Sequence, residues 1–330
     1  MNTQLFRLIT KYQHAVHEAV ILLSRSGIKM PLSCDNWLNT DIPAHGELLG
    51  GIRYFKHGYG CKVNLPSGTV DFDFGRSGEI CGFDPWRLFN FAGSSLSEYQ
   101  FADLDELRAC FDLELSAGKI IFSGYILYYL SKVPRTIATE IETRLPSDLL
   151  PNRNLDPVLT LYAHYFKAAD LMRKDFERLQ EKSRKNGHLN DSDDQRMAVS
   201  LPTWLGFLAV TCEGFRKLGI RKLLQSERPT AFQELIEKTN ALLKMINEHY
   251  DPLRRFRNNV FHLREDTQEI RNFFSSQADR FPWAGNVHDA LADFFSNYHI
   301  LCEVHYVLNG RMSESELGSK RKKRSKVKSN

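Results

Sequence analysis

The chain has 330 residues, enough for two domains that each bury a core, and 42% hydrophobic with 25% charged residues is ordinary globular composition. Six scattered cysteines, with no CxxC pair and no His/Cys cluster at zinc-ligand spacing, argue against a disulfide scaffold or a structural zinc site and for reduced, buried thiols. Net charge is +4, but the last 20 residues carry eight Lys or Arg against two Glu, so residues 1–310 are net −2 and the charge gives no ground for a broad basic nucleic-acid face.

No run of about 18 apolar residues marks a membrane span, and the first residues lack a basic segment followed by an apolar one. A cytoplasmic protein without membrane contact is the expectation. Leu5, Leu8, Ile9, Tyr12, Val16, Val20 and Leu23 recur at three- and four-residue steps and predict an amphipathic helix that Gly27 stops. The period then changes to two. Ile52 to Leu65 reads as one or two strands around the turn His57-Gly58-Tyr59-Gly60. Thr69 to Phe74 alternates Val70, Phe72 and Phe74 against Asp71 and Asp73, and Glu79 to Phe83 follows a turn, giving an antiparallel meander of three or four strands.

Asp84-Pro85 is an N-cap and N1 pair for a short helix. A helix over 102–116 is expected next, with Leu104, Leu107, Phe111 and Leu115 inward, and Lys119 to Leu130 reads as a strand pair or a helix. Periodicity is lost around Pro134, Pro146 and Pro151, which places a boundary near 150. Beyond it the pattern is helical: Asp156-Pro157 to about Lys185, Leu201 to Leu218 closed by Gly219, Thr230 to His249, a helix opened by Asp251-Pro252, and Pro282 to Leu308. The expected organisation is an α+β domain over 1–145 with a small antiparallel meander, an all-α antiparallel bundle over 146–310, and a disordered basic tail over 311–330.

The helix opened by Asp251-Pro252 carries the most specific chemistry. Leu253, Phe256, Val260 and Leu263 form its apolar stripe, while Arg254, Asn258 and His262 stand four apart on the other side. Arg257 lies about 140° around the axis from His262. A site using both residues needs long side chains, a local distortion, or a second copy of the helix across a symmetric dimer, and the dimer is favoured. Histidine gives or takes a proton near neutral pH, arginine grips phosphate oxygens with a permanent charge, and the Asn258 amide donates to phosphate or orients His262. These residue types suit RNA cleavage by the 2′-hydroxyl without a metal. The bland alternative is a solvated helix face with a half-buried histidine.

Arg257-Asn258-Asn259-Val260-Phe261-His262, in the later part of a helical region, resembles the R-N-x-x-x-H motif of HEPN (higher eukaryotes and prokaryotes nucleotide-binding) domains over about residues 150–310. The resemblance implies a bundle of four or five helices, usually dimeric, and in many members a metal-independent endoribonuclease of toxin–antitoxin or phage-defence systems. By it, Arg257 and His262 are the catalytic pair and Asn258 the polar accessory. RNA is then the substrate, a second copy the partner, and an antitoxin or regulator a further one, with no cofactor or metal expected. Other HEPN members bind without cutting, so a non-catalytic RNA-binding or dimerisation module is the alternative.

The segments with His57-Gly58-Tyr59-Gly60, Asp71-Phe72-Asp73-Phe74-Gly75 and Phe83-Asp84-Pro85-Trp86-Arg87-Leu88 resemble a bacterial domain family of unknown function, over roughly residues 35–140. His57, Asp71, Asp73 and Asp84 would make a metal or catalytic site, but each is also explained as a strand face, a glycine turn or a cap. A binding or sensing role, or control of the helical domain, is the preferred reading. Glu213 is a possible partner of Arg257, with a surface carboxylate preferred, and His288, His299 and His305 are assigned to the bundle surface or interface. The run Lys320 to Arg324 reads as a localisation signal, a non-specific RNA anchor or a plain solubilising tail.

Overall fold

The computed structural model describes residues 2–123, 125–262, 268–275 and 279–317. The chain divides into two compact units, Met1–Thr143 with His305–Asn330, and Arg144–Val304.

The first unit is built on helix α1 (Thr3–Arg25), whose start is capped by the Asn2 side chain accepting from the Gln4 and Leu5 amides. The predicted apolar stripe of α1 is buried, and Gly27, with φ of 94°, takes the chain out of the helix. A short α2 (Cys34–Leu38) follows, and then four strands: β1 (His45–Glu47), β2 (Arg53–His57), β3 (Gly60–Leu65) and β4 (Gly68–Asp73). They pair antiparallel in the order β1-β2-β3-β4. The fourth strand of the meander therefore lies upstream. Glu79 to Phe83, expected as a strand, makes only isolated bridges, Glu79 to Ile137 and Phe83 to Tyr128.

One sheet face is apolar. Tyr54, Cys61, Val63, Val70 and Phe72 are buried with α1 and Trp37, whose indole N–H donates to the Gly60 carbonyl at 2.8 Å. Burying each large side chain of this set contributes about 1.5–3 kcal/mol. The other face carries Phe55, His57, Lys62, Asp71 and Asp73, because alternate residues of a strand point to opposite sides. The hairpin joining β2 to β3 requires glycine at position 60, because a Cβ there would run into the Phe72 carbonyl oxygen.

Helix α3 (Pro85–Ala92) starts as predicted, with Asp84 accepting from the Arg87 amide at 3.0 Å and Pro85 in the first turn. In α4 (Leu104–Ser116), Leu107 and Phe111 are buried, whereas Leu104, expected inward, is exposed. Lys119 to Leu130 resolves into a strand pair, β5 (Ile120–Phe122) and β6 (Tyr128–Leu130). Residues 311–317, expected in the disordered tail, lie among the described residues. Arg311 is 1% exposed, stacks over Tyr306 and pairs with Glu314 at 2.6 Å, and Ser315 is buried, so the chain is packed within this unit from Arg311 to Ser315. Residues 318–330, with the Lys320 to Arg324 run, lie outside the described residues.

The second unit is helical. Asp156 caps α5 (Pro157–Leu161), which continues through a π-turn at Tyr162–Phe166 into α6 (Lys167–Asn186). A four-residue link leads into α7 (Asp191–Lys217), which starts ten residues earlier than expected and tolerates Pro202. By length and composition α7 is apolar enough to cross a membrane, and half of that apolar window is buried inside the protein. Then come α8 (Ile220–Ser226), a 3₁₀ segment at Thr230–Leu235, α9 (Ile236–Glu248), α10 (Tyr250–Phe261), α11 (Gln268–Phe273) and α12 (Arg280–Leu308). Aromatic contacts join them: Phe215 of α7 meets Phe294 of α12 at 4.9 Å, and Phe166 meets Phe295 at 5.1 Å. The expected α+β and helical parts are thus present, the first with a small antiparallel sheet.

Beneath the helix starts lies a charged knot. Asp156, fully buried, accepts from the Tyr298 hydroxyl at 2.7 Å and pairs with Arg228 at 3.4 Å, while Arg228 donates to the same hydroxyl at 2.7 Å. His288, assigned from sequence to the surface or interface, is buried instead. Its Nδ1 accepts from the Trp204 indole at 3.1 Å.

Candidate functional site

Helix α10 presents Arg257 and Asn258 near its end. Asp251 is not its cap: the helix begins at Tyr250 with His249 in the cap position, and Asp251 is exposed in the first turn, 3.9 Å from Arg254. Leu253 and Phe256 are buried as expected and Val260 is half-buried; Leu263 lies outside the described residues. Phe256 meets Phe273 of α11 at 5.0 Å. Toward its C-terminus α10 rests on α7 at Gly206, where a Cβ would lie 2.6 Å from the Phe261 ring. Glycine at 206 is what admits that ring, which also meets Phe207 at 5.4 Å.

Arg257 is held from both sides. Its Nη1 donates to Glu213 of α7, and its Nε and Nη2 donate to the Asn258 side-chain oxygen at 3.2 and 2.7 Å. Glu213 also receives Lys217 at 2.6 Å. Lys217 foremost, with Arg257 beside it, holds the Glu213 carboxyl below the usual carboxylate range against the opposing effect of partial burial. Glu213 is therefore an ion-pair partner and not the plain surface carboxylate preferred from sequence. One turn's neighbour on α7, Arg216, stacks over Tyr250 at 3.8 Å and ties down the start of α10, a contact that sequence reading missed.

His262 leaves the helix. It is the C-cap residue, exposed, with φ −126° and ψ 140°, and its amide donates to the Asn258 carbonyl at 3.2 Å. The expected ladder of Arg254, Asn258 and His262 on one helical face therefore ends at Asn258. The helical angle computed between Arg257 and His262 does not apply, because the chain turns out of α10 between them. The structure brings Arg257 and Asn258 together and sets His262 just beyond, with no hydrogen bond to Arg257 among the described residues.

A second cluster lies in the first unit. His57 Nε2 is 2.8 Å from Asp71 Oδ1, and its Nδ1 is 3.9 Å from Asp73 Oδ1. Arg87 of α3 reaches across to both carboxylates: Nε to Asp73 at 2.8 Å, Nη2 to Asp73 at 3.2 Å, and Nη1 to Asp71. Burial raises the Asp73 carboxyl above its ordinary value, and Arg87 opposes the shift. Strand register explains the meeting: His57 faces Gly60, which faces Asp73. The alternation of Asp71 and Asp73 was a sufficient signal for their shared face, but nothing local announced Arg87 as their partner.

Residues 5–130 match a family described as "Domain of unknown function (DUF6896)", so the matched segment includes α1 as well as all three motifs. The match ends before the second unit begins. No curated protein and no solved structure matches the chain.

Proposed function

We propose that the chain is a metal-independent endoribonuclease of the HEPN type, with Arg257, Asn258 and His262 as its working residues. One observation carries the reading: Glu213 and Asn258 fix Arg257 at the end of α10 while His262 stands exposed at the cap. Of the five guanidinium N–H groups, three are engaged by Glu213 and Asn258, which leaves two for phosphate oxygens. The Asn258 oxygen is occupied by Arg257, so its amide nitrogen is the outward donor. His262 takes the proton of the 2′-hydroxyl as its oxygen attacks phosphorus, Arg257 balances the developing charge, and the 5′-oxygen leaves with a proton. The products carry a 2′,3′-cyclic phosphate and a 5′-hydroxyl. A second copy related by twofold symmetry supplies the second histidine as acid. Toxin–antitoxin or phage defence in the cytoplasm, with a cognate antitoxin or regulator, is the context that fits such an activity.

The test is purified protein incubated with tRNA, rRNA and mRNA in EDTA, beside Arg257→Ala, Asn258→Ala and His262→Ala. Cleavage with cyclic-phosphate ends, reduced about 10²–10⁴-fold by His262→Ala, is expected. RNA left intact by the wild type, or cut equally by the variants, refutes it. A second reading draws on the ion pair itself. Glu213 neutralises much of Arg257, which suits an RNA-binding or dimerisation module without catalysis, and RNA retained but uncut supports it.

A further inference from the structure

The cluster on the outer face of the first unit's sheet borders an open cleft of about 440 Å³. Its floor holds His57, Asp73, Asp84 and Arg87, and its walls are aromatic. Trp86 is 65% exposed, Phe122 51% and Tyr125 42%, an unusual concentration of large rings left in water around a charged floor.

Charge on the floor is unbalanced. Asp73 and Asp84 on the floor, with Asp71 beside them, stand against the single guanidinium of Arg87, so carboxylates outnumber it. His57 Nε2 meets Asp71 Oδ1 at 2.8 Å. Its Nδ1 lies 3.9 Å from Asp73 Oδ1, beyond hydrogen-bond reach. Arg87 donates Nε and Nη2 to Asp73 and Nη1 to Asp71.

We propose that this cleft binds an organic cation bearing N–H donors on a flat body, of the amidinium or guanidinium class. An N–H directed at the Asp73 and Asp84 carboxylates meets acceptors on the floor, its charge offsets the excess carboxylate, and its flat body lies on the aromatic walls. Other ligand classes fit less well. A phosphate or nucleotide meets the wrong charge. A bare divalent ion finds the Arg87 guanidinium already between the two aspartates, and gains little from Trp86 and Tyr125. A quaternary ammonium suits the rings but has no proton to donate to the floor.

The test uses the full chain and benzamidine as the probe, followed by ligand-observed NMR, with the neutral isostere benzamide and with benzyltrimethylammonium as comparisons. Benzamidine is expected to bind about tenfold more tightly than either comparison. Trp86→Ala, at a position mostly in water, leaves folding intact and weakens benzamidine about tenfold, and Asp84→Asn weakens it with no loss of thermal stability beyond that of a cap. Absence of benzamidine binding overturns the proposal. So does benzamide binding as well as benzamidine, or wild-type affinity in a folded Trp86→Ala protein. These outcomes are independent of RNA cleavage.

Discussion

Replacing Asp156 by alanine tests the charged knot that anchors the start of α5. Two costs add. The cap is lost, because Asp156 Oδ1 accepts from the Val158 and Leu159 amides at 2.8 and 3.4 Å, worth about 1 kcal/mol. Arg228, only 5% exposed, is left as a buried charge without its carboxylate, which costs about 3–5 kcal/mol. Asp156→Ala is therefore expected to lower the unfolding free energy of the second unit by about 4–6 kcal/mol. Urea unfolding followed by tryptophan fluorescence measures it, because Trp204 and Trp283 both report on that unit. The decisive comparison is the double variant Asp156→Ala with Arg228→Met. Removing both charges together leaves the cap loss and the orphaned Tyr298 hydroxyl, about 2–3 kcal/mol in all. A double variant less stable than Asp156→Ala alone, or a single variant costing under about 1 kcal/mol, refutes the account of a paired buried charge.

Two further predictions concern particular contacts. Gly206→Leu forces Phe261 off α7 and destabilises by about 1–3 kcal/mol, and adding Phe261→Ala recovers most of the loss; thermal unfolding of the three proteins decides it, and no recovery places the strain elsewhere. Burial, aided by Arg173, lowers the His288 pKa in the folded protein, so unfolding takes up a proton; stability is full above about pH 6.5 and falls as pH drops toward the folded value. Calorimetry from about pH 7.5 to about pH 5.5, a window spanning the ordinary histidine pKa, is expected to show a smaller loss in His288→Gln, whose amide oxygen still accepts from Trp204, and an equal loss removes His288 from the explanation.

Local signals were legible where the physics is local. Asp84-Pro85 and Asp156-Pro157 cap helices because each aspartate sits in extended backbone and reaches the amides two or three residues on. Asp251-Pro252 has the same spelling and fails, because α9 ends only one residue before α10 begins and Tyr250 is drawn into the first turn, where Arg216 stacks on it. Tertiary contact decided that boundary. The same limit applies to the sites. The composition and spacing of Arg257, Asn258 and His262 were readable, but the partner of Arg257 lies 44 residues away on α7, and His262 sits at the C-cap, outside the helical face that its spacing assigned it to. In the first unit, alternation put Asp71 and Asp73 on one face, while the helix that delivers Arg87 to that face could be placed only by folding the chain.

Arg87 has a consequence for how the outer face responds to anything that meets it. Its fork ties the beginning of α3 to β4 and holds Asp71 and Asp73 in a fixed spacing before any visitor arrives. The entropy of ordering those carboxylates is therefore spent during folding, and an incoming molecule meets a rigid template instead of a set of side chains to be organised. Rigidity of that kind favours discrimination by shape: a molecule that does not match the spacing finds nothing to adapt to it.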